Sequence, residues 1–402
     1  MLVPTPMHTH THTQIPILDA SSCSCHLPFR SCSCPAYGPA HLFPPNSNCT
    51  TTSAHMHTPR RPFTRPEVLL SSLVSCVHHG LVTMSLPVID IAPLYNDNKA
   101  DLLRVAHAID EACRTWGFFY ITGHNIPKGR SEQLTEMANK FFALPQEEKL
   151  RINIEKTTNH RGYGMCAAEQ LDPSNPGDWK ETFDMGFHLP LDHPSVIAGK
   201  PLRGPNNHPT WVEGWTELME QHYSDMQCLA LLLLRALALA LDINDDFFVS
   251  KFHEPLSVFR LIHYPALPDE KGRAVCGAHT DYGIVTLLYQ DTVGGLQVQN
   301  LQGEWMDVPP IEGSYVVNIG DMMAMWSNGR YKSTLHRVLN HGVERISMPF
   351  FCEPNPETTI SCLLNCFDEA NPSKFPDVKA ADWLLKRFKQ TYAYRADDLK
   401  SQ

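Results

Sequence analysis

No run of 18 or more consecutive apolar residues occurs in the chain, so no segment reads as a membrane-spanning helix. Val68 to Val82 is the longest apolar-leaning stretch, and serines and His78-His79 interrupt it. Basic residues are short as well: 33 Lys and Arg stand against 43 Asp and Glu. That deficit argues against a general nucleic-acid binder, which carries a basic face. Cysteine is present, but Cys113, Cys166, Cys228, Cys276, Cys352, Cys362 and Cys366 form no CxxC pair. An odd, scattered set reads as reduced thiols in a reducing compartment, and the expected location is the cytoplasm. Acids are nearly missing from the first 84 residues, where only Asp19 and Glu67 occur beside four arginines.

Those 84 residues contribute +2 to a total of −10, so the remaining chain carries −12. They also hold nine of the 21 histidines, His8-Thr9-His10-Thr11-His12-Thr13 among them, and two Cys-Ser-Cys pieces. The expectation is a disordered, low-complexity extension with too few apolar side chains to build a core. A soft metal-binding tail and an organelle-targeting segment are the alternatives. Met84-Ser85-Leu86-Pro87 reads as a protein start, which would leave everything before Met84 out of the mature protein.

The rest of the chain divides by pattern into four regions. Residues 85–205 open with the short strand Leu86–Asp90, followed by an amphipathic helix over 98–116 whose Leu102, Val105, Ile109, Ala112 and Trp116 recur at helical spacing. A second helix is expected from Ser131 to Ala143, and Gly-, Pro- and Asn-rich loops over 153–209. Residues 206–250 hold a long backbone helix, with Thr210–Glu213 as its capping box and its end near Leu241. Residues 251–360 change to at least seven short β-runs, from Ser257–His263 to Arg345–Phe351, the spacing of a jelly roll. Residues 361–402 close the chain with a helix over Val378–Tyr392. The fold class expected is mixed α/β, mainly β.

One stretch organises the whole: Gly277-Ala278-His279-Thr280-Asp281-Tyr282-Gly283. On extended chain, His279 and Asp281 leave the same face. An imidazole and a carboxylate there are two-thirds of the two-histidine, one-carboxylate facial triad that holds non-haem Fe(II). The third ligand must return from a distance, and His336, within Ser333-Thr334-Leu335-His336-Arg337-Val338, is the candidate. Arg345 and Ser347, two apart on a strand, point the same way, and a guanidinium fork matches a carboxylate.

With these motifs in order, Leu86 to Pro354 resembles the isopenicillin N synthase-like group of Fe(II)/2-oxoglutarate-dependent oxygenases. Trp116-Gly117-Phe118-Phe119, His263-Tyr264-Pro265, Gly294–Val298, Val317–Asp321 and Glu344–Ser347 carry the likeness beside the two histidine motifs. The resemblance implies a distorted double-stranded β-helix (jelly roll) with His279, Asp281 and His336 on iron. It implies Arg345, Ser347 and Tyr264 on the 2-oxoglutarate carboxylate. The reaction implied consumes O2 and 2-oxoglutarate, releases succinate and CO2, and hydroxylates or desaturates a small organic molecule, with ascorbate as an accessory reductant. Arg161 and Tyr163, in Arg161-Gly162-Tyr163-Gly164, are the candidates for touching that substrate, and Asp178-Trp179-Lys180-Glu181 falls in the same pocket-lining region. His263 and His341 are read as structural, Trp326 and Phe350 as core, and Asp321 as serving a turn.

The rivals are a 2-oxoglutarate-independent oxidase of isopenicillin N synthase type, an ethylene-forming enzyme suggested by Gly204-Pro205-Asn206-Asn207, and a non-catalytic ligand-binding jelly roll. The partner expected is a small molecule, with neither nucleic acid nor membrane, and the protein is expected to be a monomer.

Overall fold

Twelve strands build two facing sheets in the computed structural model, which describes residues 85–96, 98–392 and 394. The expectations for residues 1–84 lie outside the described residues. The strands are β1 (Val88–Asp90), β2 (Phe118–Thr122), β3 (Gly162–Gly164), β4 (Glu181–Gly186), β5 (Val258–Tyr264) and β6 (Ala274–His279). They continue with β7 (Val285–Gln290), β8 (Leu296–Gln299), β9 (Trp305–Asp307), β10 (Tyr315–Ile319), β11 (His336–Leu339) and β12 (Arg345–Cys352). The large sheet has the order β1-β2-β10-β7-β12-β5-β4-β3, and the small one β6-β11-β8-β9. This is the expected jelly roll.

Each strand of the large sheet sends alternate side chains to opposite faces. In β5, Leu261 joins the core under the helices, while Ile262 and Tyr264 join a second cluster with Val275, Cys276, Leu296, Val298 and Val338 of the small sheet. In β10 the same alternation sends Val317 to the helices and Val316 to the small sheet. A sheet covered on both faces needs apolar residues at nearly every position, which explains the buried run of β12. The interior between the sheets is where the site forms.

Three helices cover the outer face. Lys99–Thr115 is capped by Asn98, whose side chain accepts from Ala100 N at 3.1 Å, and buries Val105, Ile109 and Ala112. Arg130–Phe142 follows. The long helix Trp215–Ala240 packs Trp215 against Phe141 and Phe183, with ring centroids 4.9 Å apart in each case. By length and composition it could cross a bilayer; here Met219, Met226, Leu233 and Leu237 are spent on the core. Its start departs from expectation. Thr210–Glu213 forms turns rather than a capping box, because Gly214 follows in the left-handed region at φ +74°.

Asp321 also differs from expectation. It opens the short helix Asp321–Trp326, accepts from Ser333 Oγ (2.7 Å), and pairs with Arg387 Nη1 (2.7 Å) of the closing helix Ala380–Thr391.

Candidate active site

His279 is the last residue of β6, and His336 is the first of β11; the two are register partners across the small sheet. Asp281 lies just beyond β6, in the turn toward β7. One donor atom from each of the three falls within 4.8 Å of the others. Asp281 Oδ1 is 3.6 Å from His279 Nε2 and 3.6 Å from His336 Nε2.

The surroundings decide which atoms are free. His279 Nδ1 lies 2.8 Å from Gly277 O, and His336 Nδ1 lies 3.1 Å from Thr334 O. A carbonyl only accepts, so each Nδ1 carries a proton, and in the neutral ring each Nε2 presents a lone pair. Asp281 Oδ2 accepts from Thr286 Oγ1 (2.5 Å) and Asn318 Nδ2 (2.7 Å), which leaves Oδ1 toward the histidines. Burial, and then the neighbouring His336, push His279 down to about 3, which keeps it in the neutral form that binds metal. Burial alone would raise Asp281, but the two imidazoles and the Asn318 hydrogen bond hold it below the usual carboxylate range. At His336 burial is opposed by the Asp281 carboxylate, which raises the imidazole; two imidazoles, which bind metal in the neutral form, and one carboxylate on one side of a cavity fit a divalent iron with open positions.

Thr286 and Asn318 were not singled out from the sequence. The available signal was a polar residue inside a β-run, Val316-Val317-Asn318-Ile319, where asparagine is disfavoured unless it has a task. Replacing Thr286 with valine keeps its shape and removes its donor. Iron affinity should then fall about 10- to 100-fold, as for other outer-shell losses. An anaerobic Fe(II) titration giving the wild-type constant would show that Thr286 does not orient the carboxylate.

Arg345 stands on β12, with Tyr264 as its register partner on β5. The guanidinium carbon lies 4.9 Å from the Tyr264 ring centroid. Arg345 Nη1 donates to Ser347 Oγ (3.0 Å) and Nη2 to Gln290 Oε1 (3.3 Å), while Nε has no partner. Arg345 is only 3% exposed, and among the described residues no carboxylate pairs with it. A buried cation lacking its counter-ion costs several kcal/mol, and the carboxylate of a 2-oxo acid would supply one. Gln290, at the end of β7 and opposite Ser347, is a further group that sequence reading missed. His279, Asp281, His336, Arg345, Ser347 and Tyr264 all line one cavity.

Arg161 and Tyr163 do not line it, which corrects the expectation. Arg161 Nη1 donates to Gly204 O (2.6 Å) and Asn206 Oδ1 (3.2 Å), and Tyr163 Oη donates to Glu181 Oε2 (2.6 Å). Both are loop and core anchors. Asn206 is held to both Gly186 N and Gly186 O, so the Gly204–Asn207 segment has a structural task as well. His263 bonds Glu181 Oε1 at 2.8 Å through Nδ1. Of the Asp178–Glu181 segment, Lys180 reaches the cavity, and Asp178 Oδ1 accepts from Gly277 N (3.0 Å), which anchors the strand carrying His279.

A jelly roll with two histidines and an aspartate converging beside a buried, unpaired arginine defines the class of non-haem iron oxygenases. Comparison with known proteins narrows this. Residues 86–211 match the family described as "non-haem dioxygenase in morphine synthesis N-terminal", and residues 255–354 match the 2OG-Fe(II) oxygenase superfamily. The chain is 38% identical over 324 residues to the 2-oxoglutarate-Fe(II) type oxidoreductase hxnY of Emericella nidulans, covering 79% of this chain and 93% of that one. It is 38% identical over 318 residues to a homoarginine-6-hydroxylase of Oryza sativa subsp. japonica, covering 75% and 96%. Among solved structures, a 2OG-Fe(II) oxygenase family protein from Caulobacter crescentus superimposes with a TM-score of 0.68 at 30% identity, covering 77% and 99%. A Neurospora crassa protein crystallised with alpha-KG and thymine gives 0.65 at 29%, covering 76% and 96%. The chain belongs to the Fe(II)/2-oxoglutarate-dependent dioxygenase family, and it is an enzyme using iron and 2-oxoglutarate.

Proposed function

We propose that His279 Nε2, Asp281 Oδ1 and His336 Nε2 hold the iron, that Arg345 and Ser347 hold the far carboxylate of 2-oxoglutarate with Tyr264 beside them, and that the site hydroxylates a small nitrogen-bearing molecule. The observation that carries this is the hydrogen bonding of the triad, in which every other polar atom is satisfied and three lone-pair-bearing atoms converge. The homoarginine and thymine named for two of the similar proteins support the nitrogen-bearing class.

When bound, iron, O2 and 2-oxoglutarate supply the oxidising power, with succinate and CO2 as co-products. The chain orients and shields. Gly277 O and Thr334 O fix the imidazole tautomers, and Thr286 with Asn318 fixes the carboxylate rotamer. Arg345 gives the cosubstrate one orientation by a charge-assisted bond in a dry interior. Leu288, Leu296 and Val338 line the same cavity and exclude water. We also place the enzyme in the cytoplasm, which Cys113, Cys166, Cys276, Cys352, Cys362 and Cys366, none of them in a disulfide, support.

The test is succinate formation by the full chain with Fe(II), air and 2-oxoglutarate, in the presence of a panel of small nitrogenous metabolites. Succinate matched by a hydroxylated product is expected. Oxidised product without any 2-oxoglutarate consumed would replace this reading with the cosubstrate-independent oxidase.

A further inference from the structure

Glu353 lies just past β12 and is 5% exposed, and its side chain lines the cavity that holds the triad. One hydroxyl clamps its backbone: Ser257 Oγ donates to Glu353 O (3.2 Å) and accepts from Glu353 N (3.1 Å). Gly283, the last residue of the stretch carrying His279 and Asp281, makes room for the side chain. A Cβ at 283 would stand 2.8 Å from Glu353 Cγ and 2.9 Å from Cys352 O. The position is therefore built, with little freedom left to the main chain.

The carboxyl itself is unmatched. Among the described residues no hydrogen bond and no ion pair reaches its oxygens, whereas Asp184 and Glu169, which line the same cavity, are paired, as is Asp178. Asp184 takes two bonds from its register partner Arg260, at 2.7 Å each. Glu169 is shared between Lys180 (3.0 Å) and Arg260 (3.2 Å), and Lys180 also holds Asp178 (2.8 Å). Four carboxyls thus face two cations, and Glu353 is the one left over. A buried carboxyl without a partner is costly. Burial, and then the charge of Asp281, displace Glu353 well above the usual carboxylate range. Tyr282, Phe351 and Phe388 line the same cavity.

We infer that Glu353 anchors the prime substrate by binding a nitrogen cation, a guanidinium or amidinium whose paired N–H groups match the two carboxyl oxygens. This rests on the reading of the site as an oxygenase centre and goes beyond it by naming the residue and the charge that select the substrate. Glu353 fixes the cation; the triad meets the part of the molecule left facing it.

The experiment uses the full chain loaded anaerobically with Fe(II) and 2-oxoglutarate and titrated in a calorimeter. The probes are L-homoarginine and methylguanidine, with L-homocitrulline and methylurea as their neutral isosteres. The wild type should bind the cations about tenfold or more tightly than the ureas, and Glu353→Gln should lose about tenfold or more for the cations only, as expected for a charge-assisted pair turned neutral. The 2-oxoglutarate isotherm, recorded first, should be the same in both proteins. Its absence from the wild type strikes the oxygenase reading, whereas the cation isotherms answer for Glu353 alone. Equal binding of cation and urea, no binding of either cation, or undiminished cation binding by Glu353→Gln overturns the inference. If the glutamine variant does not fold, Glu353→Asp, which keeps the charge and withdraws it, should show weakened cation binding, and wild-type affinity there overturns it equally.

Discussion

Asp281→Ala is expected to lose iron binding and 2-oxoglutarate turnover altogether, the largest effect of any single change in this protein. Asp281 offers the one anionic donor among the three converging atoms, so, with the triad as the proposed iron site, its removal takes away both a ligand and the triad's only charge that offsets the metal's. The loss should exceed the roughly 10- to 100-fold that removal of an outer-shell partner costs. The truncation also strands the Thr286 hydroxyl and the Asn318 amide, both buried, at about 1–3 kcal/mol per unsatisfied group. Circular dichroism and a melting curve of the metal-free variant therefore come first. Iron titration and succinate formation then give the result. A folded variant that still decarboxylates 2-oxoglutarate at an appreciable rate would sink the ligand assignment.

The second large effect is expected at Arg345. Alanine there removes a buried guanidinium whose present partners, Ser347 and Gln290, are both neutral. If its counter-ion is the cosubstrate, the pair is worth about 2–5 kcal/mol on truncation, and about 1.4 kcal/mol is tenfold. The Michaelis constant for 2-oxoglutarate should rise by roughly 30-fold or more, with iron affinity unchanged because the triad is left whole. A rise confined to the constant of the prime substrate would mean that Arg345 reads the substrate instead. Arg345→Lys should recover only part of the loss, because an ammonium offers a point charge and not a fork.

His279, Asp281, His336 and Arg345 were legible because each sits in a short local pattern whose chemistry is carried by residue type and spacing. The β-runs were legible for the same reason, and the seven from Ser257–His263 to Arg345–Phe351 match observed strands to within a few residues, although β6 (Ala274–His279) was not among them. Arg161 and Tyr163 were misassigned because a polar residue in an irregular stretch looks alike in sequence whether it faces a ligand or holds a loop. Asn206 and Glu181 settle the matter by lying beside them, Asn206 at 45 residues' distance from Arg161. Thr286 and Asn318 gave a weak signal only. Their role depends on Asp281 Oδ2, and Asn318 is 37 residues from Asp281.

Composition, periodicity and motif spacing by themselves pointed to a jelly roll with flanking helices and to the groups proposed to hold iron and a carboxylate. Such features are local, and local patterns survive in a one-dimensional string. Tertiary structure alone decided which oxygen of Asp281 is free, which cations are already paired, and which buried acid is left unpaired. Those facts depend on strand register, where a shift of one residue would turn Arg260 from Asp184 and carry Arg345 off Tyr264. The specificity proposed for Glu353 belongs to this second kind: the residue has no motif, only an unmatched carboxyl that the packing of β5, β12 and the turn at Gly283 creates.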